Sequence, residues 1–260
     1  MKARFGRYVF LEKIAVGGMA EIYLGQRLSF GGFEKLVAIK KLLPEHRGVR
    51  VYEAMFLTEA RIAGMLNHPH IVSLHDLGKL DNAYFMAMEY VHGVSGADLL
   101  RKAVQKDGSV ALAPALRIVE SMAKALDYSY RTVDLQNEPF GVVHHDVSPH
   151  NIQLGFDGAV KLLDFGVATR LKNPKVMSRR GKYAYMSPEA VAKQPLDHRS
   201  DLFALGVVLY EMVVGRRLFK SKTPEETLAR IKAGDIASPQ NIKADVPTQV
   251  NEVILKALAV

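Results

Sequence analysis

The sequence predicts an α+β fold in two lobes, a small β-rich N-lobe with one main helix and a larger α-helical C-lobe. Three observations carry that reading. The first third alternates apolar and polar residues at the period of strands, with one stretch at helical spacing. After Gly93 the spacing is helical almost throughout. No repeat, linker or low-complexity tract interrupts the chain, so residues 1–260 read as a single domain: an N-lobe over 1–88, a hinge over 89–93 and a C-lobe over 94–260. Two lobes imply a cleft, where ligands commonly bind.

In order along the chain, "RYVFLEKIA", "EIYLGQRL" and "KLVAIKKL" read as strands, with Gly31-Gly32 marking the turn between the second and third. "VYEAMFLTEARIAGML" has helical spacing and ends at His68-Pro69. "IVSLHDLG" and "AYFMAMEYV" read as two further strands. "GADLLRKAVQ" and "LRIVESMAKALDYSYRTV" then read as helices, followed by helical segments from Ser200, Pro224 and Pro247. Between them "NIQLGFDGAVKLLDFG" reads as a short hairpin turning at Asp157-Gly158.

Composition narrows the class only broadly. The hydrophobic fraction of 48% and charged fraction of 24% are those of an ordinary globular enzyme. With no cysteine, disulfides and Cys-based zinc sites are excluded. The net charge of +8 favours polyanions in general, from nucleotides to acidic proteins. The N-terminus has too many interruptions for a signal-peptide core. "LFALGVVLYEMVVG" is too short to span a bilayer and carries Glu211, so it reads as a buried core helix, and no membrane segment is expected. The cytoplasm is the default expectation.

Several short motifs carry chemistry. They are, in chain order, the small-residue loop "IAVGGMAEIYLG", "VAIK" at a strand end, "FLTEARIAGML", "MAMEYVHG", "HHDVSPHN", "DFG", "MSPEA" and "RSDLFALG". A loop that approaches phosphates needs small residues so that backbone N–H groups can reach the oxygens; a plain Gly-containing hairpin is the alternative. A Lys inside an apolar strand needs an anionic partner, because an unpaired buried ammonium is expensive. Any one of these motifs is weak; their order and spacing together are specific. The chain thereby resembles the eukaryotic-type (Hanks-type) protein kinases, in particular the bacterial Ser/Thr kinases, over nearly its whole length from about Phe5.

The resemblance implies a kinase that transfers the γ-phosphoryl of Mg-ATP to Ser/Thr hydroxyls of proteins, itself included through self-association. Asp146 would be the base that orients the acceptor hydroxyl, and Asn151 and Asp164 would hold Mg2+ (or Mn2+). Lys40 would bind the α/β-phosphates, paired with Glu59; Glu53 is the alternative partner, its other reading being a solvated face. The loop residues Ile14, Ala15, Val16, Gly17, Gly18, Met19, Ala20, Glu21 and Ile22 would lie against the nucleotide, with Ala15 and Ala20 where the family has Gly. Ala38 and Met88 would line the adenine pocket, and backbone groups of Glu89 and Val91 would hydrogen-bond the adenine edge. Asp201 would brace the backbone of the catalytic loop, with Phe203 where Trp is usual.

The departures matter as much. His145 stands for the family's Arg and Ser148 for its Lys, while Lys182 stands where "G-T-x-x-Y-M-x-P-E" has Thr. One reading is a reciprocal exchange in which Lys182 supplies the missing catalytic cation; the other makes it one more surface cation beside Arg179 and Arg180. A neutral His145 would remove the need for activation-loop phosphorylation at Thr169 or Ser178. Gln153, where the family is apolar, would lie beneath the adenine and weaken nucleotide affinity. The C-lobe is expected to lack the family's last helix, which bears the usual Arg partner of Glu189. His144 is expected as a buried spacer near Phe165, and "HPH" is poorly spaced for zinc. The alternative to an enzyme is a pseudokinase, a nucleotide-binding or docking module of the same shape. A nucleic-acid binder would explain the charge and none of the motifs.

Overall fold

The computed structural model describes residues 4–80, 82–133, 137–166 and 183–259, with residues 169 and 170 as backbone. The chain divides into two compact units, residues 1–92 and 93–260, and the expected hinge at 89–93 straddles that boundary.

The first unit is an antiparallel sheet of β1 (Arg4–Phe5), β2 (Tyr8–Val16), β3 (Ala20–Leu28), β4 (Glu34–Leu42), β5 (Leu74–Leu80) and β6 (Ala83–Glu89), with helix α1 (Arg50–Met65) between β4 and β5. The strand order is β1-β2-β3-β4-β6-β5. Period-2 alternation divides its side chains between two cores. Val37 and Ile39 of β4 join Tyr8, Phe10, Phe85 and Ala87 in one cluster, where Phe85 meets Phe5 and Tyr8 edge-on at 5.4 and 5.7 Å. Leu42 joins Ala20, Phe56, Ala60 and Met86 in the other, on the α1 side. Lys40 shares the Leu42 face of β4, so the same alternation that builds the core delivers this cation to α1. Pairing in β5 starts at Leu74, three residues later than the apolar run from Ile71 suggests. The N–H of Ile71 closes a turn onto the carbonyl of His68 at 3.0 Å, and Ile71 makes a lone bridge outside the β5 ladder.

The second unit opens with β7 (Gly93–Ser95), α2 (Gly96–Asp107) and α3 (Leu112–Arg131). The short strands β8 (Val142–Val143), β9 (Ile152–Gly155), β10 (Val160–Leu162) and β11 (Thr169–Arg170) follow. Then come α4 (Pro188–Val191), α5 (Arg199–Val214), α6 (Pro224–Ala233), α7 (Pro239–Ile242) and α8 (Thr248–Ala257). Helices α2 and α6 start at side-chain caps. The Ser95 hydroxyl accepts the Asp98 N–H at 3.1 Å, and Thr223 accepts that of Glu226 at 3.2 Å. The β9–β10 hairpin turns at Gly158, whose φ of 87° only glycine adopts without strain.

The apolar run from Leu202 lies inside α5, which is buried on nearly every side and packs on α3 and α8. Gly206 lets α8 approach: a Cβ there would stand 2.9 Å from that of Ala257. Among the described residues no helix is long and apolar enough to cross a membrane. Strand β7, strands β8 and β11, and helix α7 have no counterpart in the sequence reading; each is four residues or fewer, too short for a period to show.

Candidate active site

In the second unit the segment His144–Asn151 runs from β8 into a 3₁₀ turn at Pro149–Asn151. Its backbone is held from below by Asp201 of α5, 3% exposed, whose two carboxylate oxygens accept the N–H groups of His144 at 2.7 Å and His145 at 2.8 Å. A carboxylate at the first turn of a buried helix, accepting two backbone donors, is a rigid clamp.

His144 is fully buried and works as a spacer. The Asp146 N–H donates to its Nδ1 at 3.2 Å, so the proton sits on Nε2, which donates to the Leu163 carbonyl at 2.9 Å. Phe165 is buried with its ring 4.8 Å from that of His144. Asp164 between them takes a φ of 59° and is exposed, its Oδ1 accepting the Gly166 N–H at 3.1 Å. The chain reverses there, so Phe165 points inward and Asp164 outward.

Asp146 and Asn151 meet directly. The Asn151 Nδ2 donates to both the carbonyl and the carboxylate of Asp146 at 2.8 Å. The Asn151 carbonyl accepts the Leu163 N–H at 2.8 Å, tying this loop to the strand that leads into Asp164. His145 adopts a φ of 62°. Burial pushes its imidazole below the ordinary value, with Asp201 pulling the other way and His144 adding to the depression, so it is neutral at pH 7. Ser148 is fully buried. Gln153 is half-buried on β9, opposite Ser95 and Lys161. Lys182, Ser178 and the neighbouring basic run lie outside the described residues, and with them the other half of the expected exchange.

In the first unit the Lys40 Nζ lies 2.5 Å from the Glu59 Oε1, both side chains buried. Glu53 instead accepts the Gly48 N–H at 3.1 Å, near the start of α1. The turn between β2 and β3 closes by the Gly17 N–H on the Ala20 carbonyl at 2.8 Å. Ile14, Ala15, Val16, Gly17 and Gly18 are exposed, and Met19 packs partly on the α1-side cluster.

Two of the loop positions expected against a nucleotide have other partners. The Ala20 methyl is buried among Leu42, Phe56 and Met86, which explains a side chain where the family has none. The Glu21 carboxylate takes Lys13 at 2.5 Å and the Tyr23 hydroxyl at 2.6 Å, and Lys13 chiefly holds it below the usual carboxylate range.

Ile22 pairs with Lys40, and Ala38 with Met88, in the sheet. The Glu89 N–H donates to the Ser73 carbonyl at 2.9 Å, so that donor is not one an adenine edge can use. Val91 is half-buried.

Further polar contacts escaped the sequence reading. Glu211 on α5 is fully buried; its Oε2 accepts the Tyr185 hydroxyl at 2.8 Å and Arg217 at 2.7 Å. Burial pushes both Glu211 and Tyr185 upward, against the pull of Arg217. A carboxylate in an apolar run was the available signal, since it demands partners. Glu189 has no ion pair among the described residues and instead accepts the Ser200 hydroxyl at 2.7 Å.

The donor atoms of the second unit have the chemistry that suits a hard cation. Asn151 spends Nδ2 on Asp146, which leaves oxygen as the amide atom for a metal, and Asp164 adds a carboxylate; oxygen donors suit Mg2+. At Gly17 an added Cβ would meet nothing nearer than the Ala20 carbonyl at 3.5 Å, so nothing crowds the outer side of the turn there.

Residues 8–258 match the protein kinase domain family. The chain is 38% identical over 258 residues to the tyrosine-protein kinase MasK of Myxococcus xanthus, covering 98% of this chain and 40% of that one. It is 34% identical over 257 residues to the serine/threonine-protein kinase PrkC of Bacillus subtilis, covering 98% and 37%. With the serine/threonine-protein kinase PknB of Mycolicibacterium smegmatis it shares 33% over 262 residues, covering 97% and 40%. The chain thus spans about two fifths of the length of these curated relatives.

Proposed function

The chain belongs to the protein kinase domain family, and from that premise we propose that it transfers the γ-phosphoryl of ATP to protein hydroxyls, with Ser and Thr as acceptors. The observation that carries the reading is the Asp146–Asn151 pair on a loop clamped by Asp201. Asp146 orients the acceptor hydroxyl and takes its proton as the new O–P bond forms and the bond from the γ-phosphorus to the bridging oxygen breaks, with ADP leaving. Lys40, held in place by Glu59, binds phosphate oxygens. Asn151 and Asp164 hold the divalent ion, which when bound neutralises charge on the phosphates. Lys182 is assigned the role of the cation missing at Ser148. ATP as donor places the reaction in the cytoplasm. Self-association would bring an acceptor on one copy to the site of another.

The neutral, half-buried His145 offers no charge for an activation-loop phosphate to pair with, so activity is independent of that modification. The Ser/Thr preference draws on the names of PrkC and PknB, whereas the name of MasK points to tyrosine.

The test is phosphate incorporation measured by mass, into the chain and into a generic basic protein, with ATP and Mg2+ or Mn2+. The wild type should incorporate phosphate on Ser and Thr, and Asp146→Asn should not. No incorporation with either metal would overturn the catalytic reading, and phosphate found on Tyr alone would overturn the acceptor preference.

A further inference from the structure

We infer that His46 is a positioning residue that couples the Gly17–Met19 turn to helix α1, and through α1 to the Lys40–Glu59 pair; the inference rests on the nucleotide reading above. The His46 Nε2 lies 3.1 Å from the carbonyl oxygen of Gly18. A carbonyl only accepts, so this nitrogen carries the proton. The same ring lies flat on Tyr52, with centroids 3.7 Å apart and planes 19° from parallel. Tyr52 belongs to α1 and packs against the cluster of Ala20, Leu42, Phe56, Ala60 and Met86. It stands about two turns before Glu59, on the same face of the helix.

His46 is fixed from behind as well. It ends the 3₁₀ turn Pro44–His46, its N–H donating to the Leu43 carbonyl at 3.0 Å, and the Leu43 N–H donates to the Met19 carbonyl at 3.0 Å. Two consecutive carbonyls of the turn are therefore tied to the segment after β4, at Gly18 by a side chain and at Met19 by backbone. The side-chain tie also touches α1. A shift of the turn that keeps the Gly18 bond carries the imidazole with it, and a stacked ring displaced by even about 1 Å forfeits much of its contact. The position of the turn and the position of α1 are thus linked through one ring. Because Glu59 rides on α1, a nucleotide that settles the turn also settles the carboxylate that holds Lys40.

The experiment separates the two links. His46→Phe keeps a flat ring on Tyr52 and loses the N–H; His46→Gln keeps an N–H donor and loses the ring. Amide hydrogen exchange of α1 is followed by mass spectrometry with and without ADP, alongside ADP affinity by calorimetry and thermal unfolding. In the wild type ADP should slow exchange in α1. In both variants that slowing should be lost, while thermal midpoints and the exchange of ligand-free α1 stay near wild type. His46→Phe should also bind ADP about fivefold more weakly, the effect of one ordinary hydrogen bond. ADP binding with no slowing in the wild type, or with equal slowing in His46→Phe, would overturn the coupling alone. A wild type that binds no ADP would bring down the nucleotide reading and the coupling with it.

Discussion

Asn151 grips Asp146 at two points, its side-chain nitrogen donating to the carbonyl oxygen and to the Oδ2 of that residue, both at 2.8 Å. The grip orients two groups at once. It aims the Asp146 carboxylate, and it settles which end of the Asn151 amide is left to face a cation. Asn151→Asp replaces the donors with a second carboxylate at hydrogen-bond distance, where like charges oppose joint ionisation. Phosphate incorporation should fall by about 10²–10⁴-fold, the usual worth of a positioned base. Activity within tenfold of wild type would show that Asp146 does not depend on its neighbour.

The Lys40–Glu59 pair is buried in the core of the first unit. Removing one partner leaves a charge in an apolar setting at a cost of about 3–5 kcal/mol, whereas removing both is far less damaging. Lys40→Met should therefore unfold at lower urea than Lys40→Met/Glu59→Leu, and neither should bind ADP tightly. A double variant less stable than the single one would contradict the pairing.

Asp201 accepts two backbone donors with no solvent to replace it. Asp201→Ala orphans both N–H groups at about 1–3 kcal/mol each. The variant should melt measurably lower by calorimetry and lose phosphate transfer, although Asp201 touches no reacting atom. Unchanged transfer in a folded Asp201→Ala protein would remove the clamp from the mechanism.

Burial holds the His145 imidazole below its ordinary value, so near and below about pH 6.5 the unfolded chain binds more protons at this residue than the folded one. Stability is full above that pH, falls as pH drops through it, and levels off below the folded value. His145→Asn, which tolerates the φ of 62°, should lose less stability between pH 7.5 and 5.5 than the wild type does. Burial also depresses His75, which is retained in both proteins, so the difference between them isolates His145. Identical pH profiles in chemical unfolding would refute the assignment.

How far each feature was legible follows from how local its cause is. Strands β2 to β4 follow from alternation within nine residues apiece, and α5 from an unbroken apolar run. Lys40, Asp146, Asn151 and Asp164 stand out because phosphoryl chemistry needs those side-chain types in that order. Ala20 and Glu21 have partners that no local pattern shows: a small residue in a loop reads alike whether it faces a phosphate or a core, and the Lys13 that pairs with Glu21 sits on another strand. The substitute for the expected partner of Glu189 was hidden likewise, since a serine eleven residues on carries no pattern.

The sequence by itself determined the class, the order of the elements and the residues able to do chemistry, because periodicity and reactive type are written residue by residue. Only the tertiary structure decided which of those residues meet. His46 reaches Gly18 across twenty-eight positions, and Asp201 reaches His144 across fifty-seven. The left-handed backbone at Asp164, with Phe165 buried and Asp164 exposed beside it, belongs to the same level. Contacts of that reach are set by how sheets and helices stack, and packing is a property of the whole fold that no short stretch of chain encodes.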